Sequence, residues 1–175
     1  MTNLEAVRAA CHRMGVPFAV LDEEPEGVDE DSGGFLRGPA SGGCHPEKGV
    51  YLLREDGQDG DAWAWVLHEL SHVVWWHPEN GVNVCEKPLI AWEYAVARHL
   101  GIRGFWSCMY TMTTRIDYEL PRMDVGDWSR PQRSAWFAQA RQECVRRGAL
   151  TPDFKPTWRR PDWSVPALSD TTHKE

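Results

Sequence analysis

Residues 62–76, AWAWVLHELSHVVWW, constrain this chain more than any other segment. At helical spacing, Val66, Leu67, Leu70, Val73 and Val74 cover one side, and Trp63, Trp65, Trp75 and Trp76 cover much of the rest. A helix that is apolar nearly all round is a buried central helix, and other elements must surround it. Asp61 is placed to cap its start, and His77-Pro78 closes it. Two histidines and a glutamate sit inside this run, where burial is costly unless they are paired or ligated.

The rest of the composition sets the frame. At 175 residues the chain is the length of one domain. It carries 26 acidic against 19 basic residues, a net charge of −7. That balance argues against a nucleic-acid coat or an anionic membrane surface as partner. No apolar run reaches the roughly 18 residues that span a membrane. The opening MTNLEAVRAACHRMG lacks the apolar core of a signal peptide and reads as an amphipathic helix, with Asn3 as N-cap and Gly15 as stop. The five cysteines are widely spaced and form no CxxC, which reads as reduced thiols in a cytoplasmic protein.

Residues 17–21 are a short β-prone run, 22–33 an acidic solvated loop and 34–48 an irregular stretch. Residues 49–55, GVYLLRE, make a better strand, followed by a turn at 56–60. A second helix starts near Pro88, which suits a first helical turn, and ends around Leu100-Gly101. A third covers about 104–115, and residues 119–131 read as a loop. Residues 132–147 form an amphipathic helix anchored by Trp136, Phe137, Ala140 and Val145, with Gly148 as stop. From Thr151 the chain is Pro-rich and reads as an extended tail packed through Trp158 and Trp163. The expected architecture is α+β, with residues 1–150 as one domain and 151–175 as the tail. Its central helix packs with other helices against a short sheet.

The chemistry lies in His68-Glu69-Leu70-Ser71-His72, an HExxH motif. Residues i and i+4 of an α-helix share a face, so two imidazoles one turn apart can bind a single metal ion. The glutamate beside the first histidine is then placed to take a proton from metal-bound water. Chance would supply such a match in roughly 0.02 chains of this composition, so the buried setting carries weight.

A catalytic zinc takes three protein ligands and keeps one position open. HExxHxxGxxH is absent, because Val74 and Trp75 stand where that pattern needs its turn. Glu86 and Glu93, on the next helix, are the acidic alternatives. If that helix returns antiparallel, counting about 1.5 Å per residue back from the connection lands on Glu93. Glu93 also lies among Ala91, Trp92, Tyr94, Ala95 and Val96, where a lone carboxylate needs a partner. Glu86 shares its face two turns earlier, at the helix mouth, where it would also complement the helix dipole. Tyr94, His99, Tyr110, Arg115 and Tyr118 are candidate oxyanion donors among which the sequence does not choose. Cys44-His45, without a second pair, reads as loop. Cys85 reads as a small buried thiol with an inhibitory role as its alternative, and Arg159-Arg160 is too short for a nucleic-acid site.

HExxH followed by a glutamate on the next helix resembles the gluzincin zinc metallopeptidases. With the preceding strand GVYLLRE and the small size, residues 49–101 resemble the compact minigluzincin and ImmA/IrrE-like group, common in bacteria and phages. The resemblance implies a zincin-like fold and zinc held by His68, His72 and Glu93. It makes Glu69 the general base of peptide-bond hydrolysis, acting on zinc-bound water. It also implies a protein or peptide substrate aligned along residues 49–54 by strand addition. The connection after HExxH is shorter than in that group. The alternative is a zinc-stabilised protein-binding module that cuts nothing.

Overall fold

A computed structural model of the chain describes residues 1–23, 25, 36–37, 42–53, 62–79, 81, 86–108 and 135–166. Helix α1, Asn3–Arg13, opens with a capping box. Thr2 Oγ1 accepts from the Glu5 amide, and the Glu5 carboxylate accepts from the Thr2 amide. The cap is thus Thr2 and not Asn3, because only Thr2 has the reciprocal glutamate three residues on. Gly15 stops the helix at a φ of +67°.

Strand β1, Phe18–Leu21, follows, then β2, Leu36–Arg37, β3, Gly42–His45, and β4, Gly49–Leu53. They form one sheet in the order β1-β4-β3-β2, with β1 parallel to β4 and the other pairs antiparallel. Strands β2 and β3 lie in the stretch expected to be irregular. Two residues of β2 and the Gly42-Gly43 pair of β3 carry no alternating pattern, so pairing with neighbours and not local propensity makes them strands. The β3–β4 hairpin is held at its turn by His45, whose Nδ1 accepts from the amides of Glu47 and Lys48 at 3.1 Å each. That ring nitrogen is committed to the backbone. At Gly49 the φ is +94°, and a side chain would collide with the Pro17 carbonyl, which accepts from the Val50 amide where β1 meets β4.

Strand β4 is bonded on both sides, to β1 and to β3. Residues 49–53 therefore cannot receive a peptide by strand addition, which corrects the expectation for that segment: its donors and acceptors are used within the sheet.

Helix α2, Ala62–Val74, is buried at all thirteen residues. It packs on α1, β3 and β4 and on helix α3, Glu86–His99. Pro88 falls in the first turn of α3, as expected. A single helical turn covers residues 105–108, and the expected continuation to 115 lies outside the described residues. Helix α4, Ala135–Arg146, packs on α3, with Phe137 against Tyr94 and the Cys144 thiol donating to the Pro88 carbonyl. The chain is an α+β protein. Among the described residues no helix is long and apolar enough to cross a membrane.

Residues 151–166 lie against this body. Trp163 Nε1 donates to the Trp76 carbonyl at 3.1 Å, and its ring meets Trp75 and His77. Buried Arg147 sits over the Trp163 ring, bonds Glu143 and donates to the carbonyls of Asp162 and Val165. Trp158 rests against His99 and under Arg13.

Candidate metal centre

Local geometry of α2 places His68 and His72 one turn apart, with ring centroids 4.7 Å apart. Their Nε2 atoms stand 3.2 Å from each other. Two nitrogens bound tetrahedrally to one zinc at about 2.05 Å would lie about 3.3 Å apart, so the pair already has ligand spacing. The third donor comes from the first residue of α3: Glu86 Oε1 is 3.7 Å from His72 Nε2. His68, His72 and Glu86 each offer one atom within 4.8 Å of the others, so the group could hold a metal ion.

Glu93 lies elsewhere in this arrangement. Its Oε1 stands 3.1 Å from Nδ1 of His68, the ring nitrogen away from His72, and accepts from Ser71 Oγ at 2.6 Å. The carboxylate is 0 % exposed. Glu93, expected from the sequence as the third donor, therefore stands at the Nδ1 side of His68, and it is Glu86 that lies at the His72 Nε2. Counting residues along the two helices sets only the height of a carboxylate on α3 and not which ring nitrogen it meets: Glu93 meets Nδ1 of His68 together with Ser71, and Glu86 meets Nε2 of His72. A carboxylate on His68 Nδ1 fixes the ring orientation and the tautomer that leaves Nε2 free for an ion, and it raises the donor strength of that nitrogen.

Ser71 is the cluster residue that nothing in the sequence singles out for a role. Its hydroxyl bridges Glu93 and the His68 carbonyl, at 2.6 and 2.7 Å. Its one sequence signal is its place one turn from His68 inside the motif. Cys44, read from the sequence as loop, lies on buried β3, and its thiol faces the Glu69 carboxylate, with burial and that carboxylate both pushing the thiol pKa up. Of the oxyanion candidates, Tyr94 packs with Phe105, Trp106 and Phe137, and His99 packs on Trp158. Neither is brought to the histidines. Tyr110, Arg115, Tyr118 and Cys85 lie outside the described residues.

No family model, curated protein or solved structure matches this chain.

The electrostatics of the cluster fit a cation. Glu69, Glu86 and Glu93 place three carboxylates around two imidazoles in the core, an arrangement that a buried positive charge stabilises. Among the described residues, His72 Nδ1 and the second oxygens of Glu86 and Glu93 have no hydrogen-bond partner. Burial alone would lower the His68 pKa, but Glu93, then Glu86 and Glu69, outweigh it and raise it to about 10. His72 is pushed down to about 3 by burial and by the charge on His68. Burial raises Glu69 to about 7, with His68 opposing, and burial also raises Glu86. One cation between the Nε2 atoms, a proton or a metal ion, serves both lone pairs.

These shifts set the pH dependence. The folded pKa of His68 lies above its unfolded value near 6.5, so its contribution is complete below that pH and is lost as pH rises toward 10. Raised Glu69 works in the same direction from about 4.5 through 7. His72 is depressed, so its cost appears as pH falls from about 6.5 toward 3. Metal binding requires the His68 proton to leave and therefore strengthens as pH rises. The gap in melting temperature between zinc-loaded and chelator-stripped protein is expected to widen from pH 6 to pH 9. A gap that narrows over that range would overturn the assignment of the ion to this cluster.

Proposed function

We propose that this chain is a zinc-dependent peptidase with a compact zincin-like core, acting in the cytoplasm on a protein or peptide. The observation that carries the reading is the convergence of His68, His72 and Glu86 on one point, with the buried Glu69 carboxyl next to His68 on the same helix. His68, His72 and Glu86 would hold the ion, and Glu93 with Ser71 would keep His68 in register. The bound ion would supply a polarised scissile carbonyl and a more acidic water.

Glu69 supplies the proton chemistry. A buried carboxylate beside the ion would accept a proton from water and return it to the departing amine. The Cys44 thiol facing Glu69 limits the directions its carboxylate can take. The spacing and the buried base favour this reading over a purely structural zinc site, which needs no base at its edge.

The test is a pair of measurements on protein purified without chelator or added zinc. One zinc per chain is expected, together with cleavage of an unstructured protein that a chelator stops and added zinc restores. Metal at background overturns the metal site. One tightly bound zinc without any cleavage, across a panel of unstructured proteins, returns the site to the structural alternative.

A further inference from the structure

A concave site lies on the far side of α3 from the metal cluster. Residues 94, 95, 98 and 99 of that helix, with Arg141 of α4 and the turn at 153–156, line a cleft of about 410 Å³. Arg98 follows Glu93 by five residues, roughly 140° around the helix axis, so this wall faces away from the metal cluster. The volume falls within the range of about 300–1,000 Å³ typical of small-molecule sites.

The lining is unusual for a chain with a net charge of −7. Arg98, Arg141 and Lys155 face one carboxylate, Asp153. Asp153 is engaged by Lys155 Nζ and by Thr151 Oγ1, each at 2.6 Å. Among the described residues, neither Arg98 nor Arg141 has a carboxylate partner. Both are held on aromatic faces. Arg141 lies 3.5 Å from the centroid of Phe154 and 5.6 Å from that of Phe137, and Arg98 lies 5.8 Å from that of Tyr94. A guanidinium stacked by its face keeps its edge N–H groups for an in-plane acceptor. Phe154 holds its place at a φ of +60°, a left-handed conformation that a bulky residue adopts only where the surroundings impose it. The turn Thr151–Lys155 does so. The Thr151 amide donates to the Lys155 carbonyl, the Lys155 amide to Thr151 Oγ1, and the Phe154 amide to the Thr151 carbonyl.

We propose that this cleft binds a small phosphate-bearing molecule. Two guanidinium forks without a carboxylate partner among the described residues match the several acceptor oxygens and double charge of a phosphate group better than a single carboxylate. The Tyr94 and Phe154 rings supply an apolar wall for an attached organic part. The site does not depend on the metal cluster, since none of its residues lies there.

The experiment is titration calorimetry of the full chain at low salt, with inorganic phosphate and phenyl phosphate as probes. Both are expected to bind saturably at one site, phenyl phosphate at least about fivefold more tightly. Arg98→Glu, at an exposed position, is expected to weaken both by at least about tenfold with melting temperature and zinc content unchanged. An Arg159→Ala/Arg160→Ala double variant, outside the cleft, is expected to bind as the parent does. Absence of saturable binding up to about 10 mM, or an Arg98→Glu affinity equal to that of the parent, would overturn the site. Equal affinity for the two probes would overturn the role given to the rings.

Discussion

Replacing Glu69 with Gln is expected to lower peptide hydrolysis by about 10²- to 10⁴-fold while zinc stays bound at one per chain. Glutamine keeps the size of the side chain and a hydrogen-bonding oxygen toward the Cys44 thiol, but it cannot accept and return a proton. Glu69 is 5 % exposed and is not in the three-donor group, so ion retention is expected even though activity is lost. Stability is expected to change in a defined direction as well. With its pKa raised to about 7, Glu69 favours the folded state below about pH 4.5 and loses that contribution as pH rises through 7. Glutamine stays neutral throughout, so the stripped variant should hold its melting temperature better than the parent between pH 5 and 8. Activity measured against zinc content separates the two functional readings: a zinc-loaded variant that cleaves as fast as the parent removes Glu69 from the mechanism.

The second large effect concerns the two glutamates of α3. Glu86→Gln removes a charged donor from the His68–His72 pair, and zinc affinity is expected to fall by more than the roughly 10- to 100-fold typical of a residue that only supports a ligand. Glu93→Gln is expected to stay within that smaller range. Its amide oxygen can still accept from Ser71 and His68, so the ring keeps its orientation but loses the adjacent negative charge. Competition with a chelator of known affinity measures both. If Glu93→Gln strips the ion and Glu86→Gln does not, the donor set drawn from the geometry is wrong. Ser71→Ala should resemble Glu93→Gln in direction with a smaller effect, because it removes one of the two bonds that hold the Glu93 carboxylate.

Much of this site was legible in the residues. The i, i+4 spacing of His68 and His72 is a property of any α-helix, so their shared face and the adjacent Glu69 required no knowledge of the fold. The burial of α2 followed equally from its apolar surface: Trp63, Trp65 and Trp75 are buried, while Trp76, just past the helix end, is half-buried. The strands β2 and β3 were not legible, since glycine pairs and two-residue ladders carry no periodic signal. Two-sided pairing of β4 was equally hidden, and with it the loss of that strand as a peptide track.

By itself, then, the sequence determined which helix is central and that His68 and His72 share one face with Glu69 beside them, because both depend on the period of a single helix. The tertiary structure decided which glutamate joins them. Glu86 and Glu93 lie seven residues apart on one face of α3, and either one satisfies the spacing. The choice depends on how far α3 slides along α2, which is set by side-chain packing between the helices and not by either sequence alone. That packing places Glu86 at the His72 Nε2 and Glu93 behind His68, while the helix period alone turns Arg98 to the opposite side, toward the cleft that it lines with Arg141.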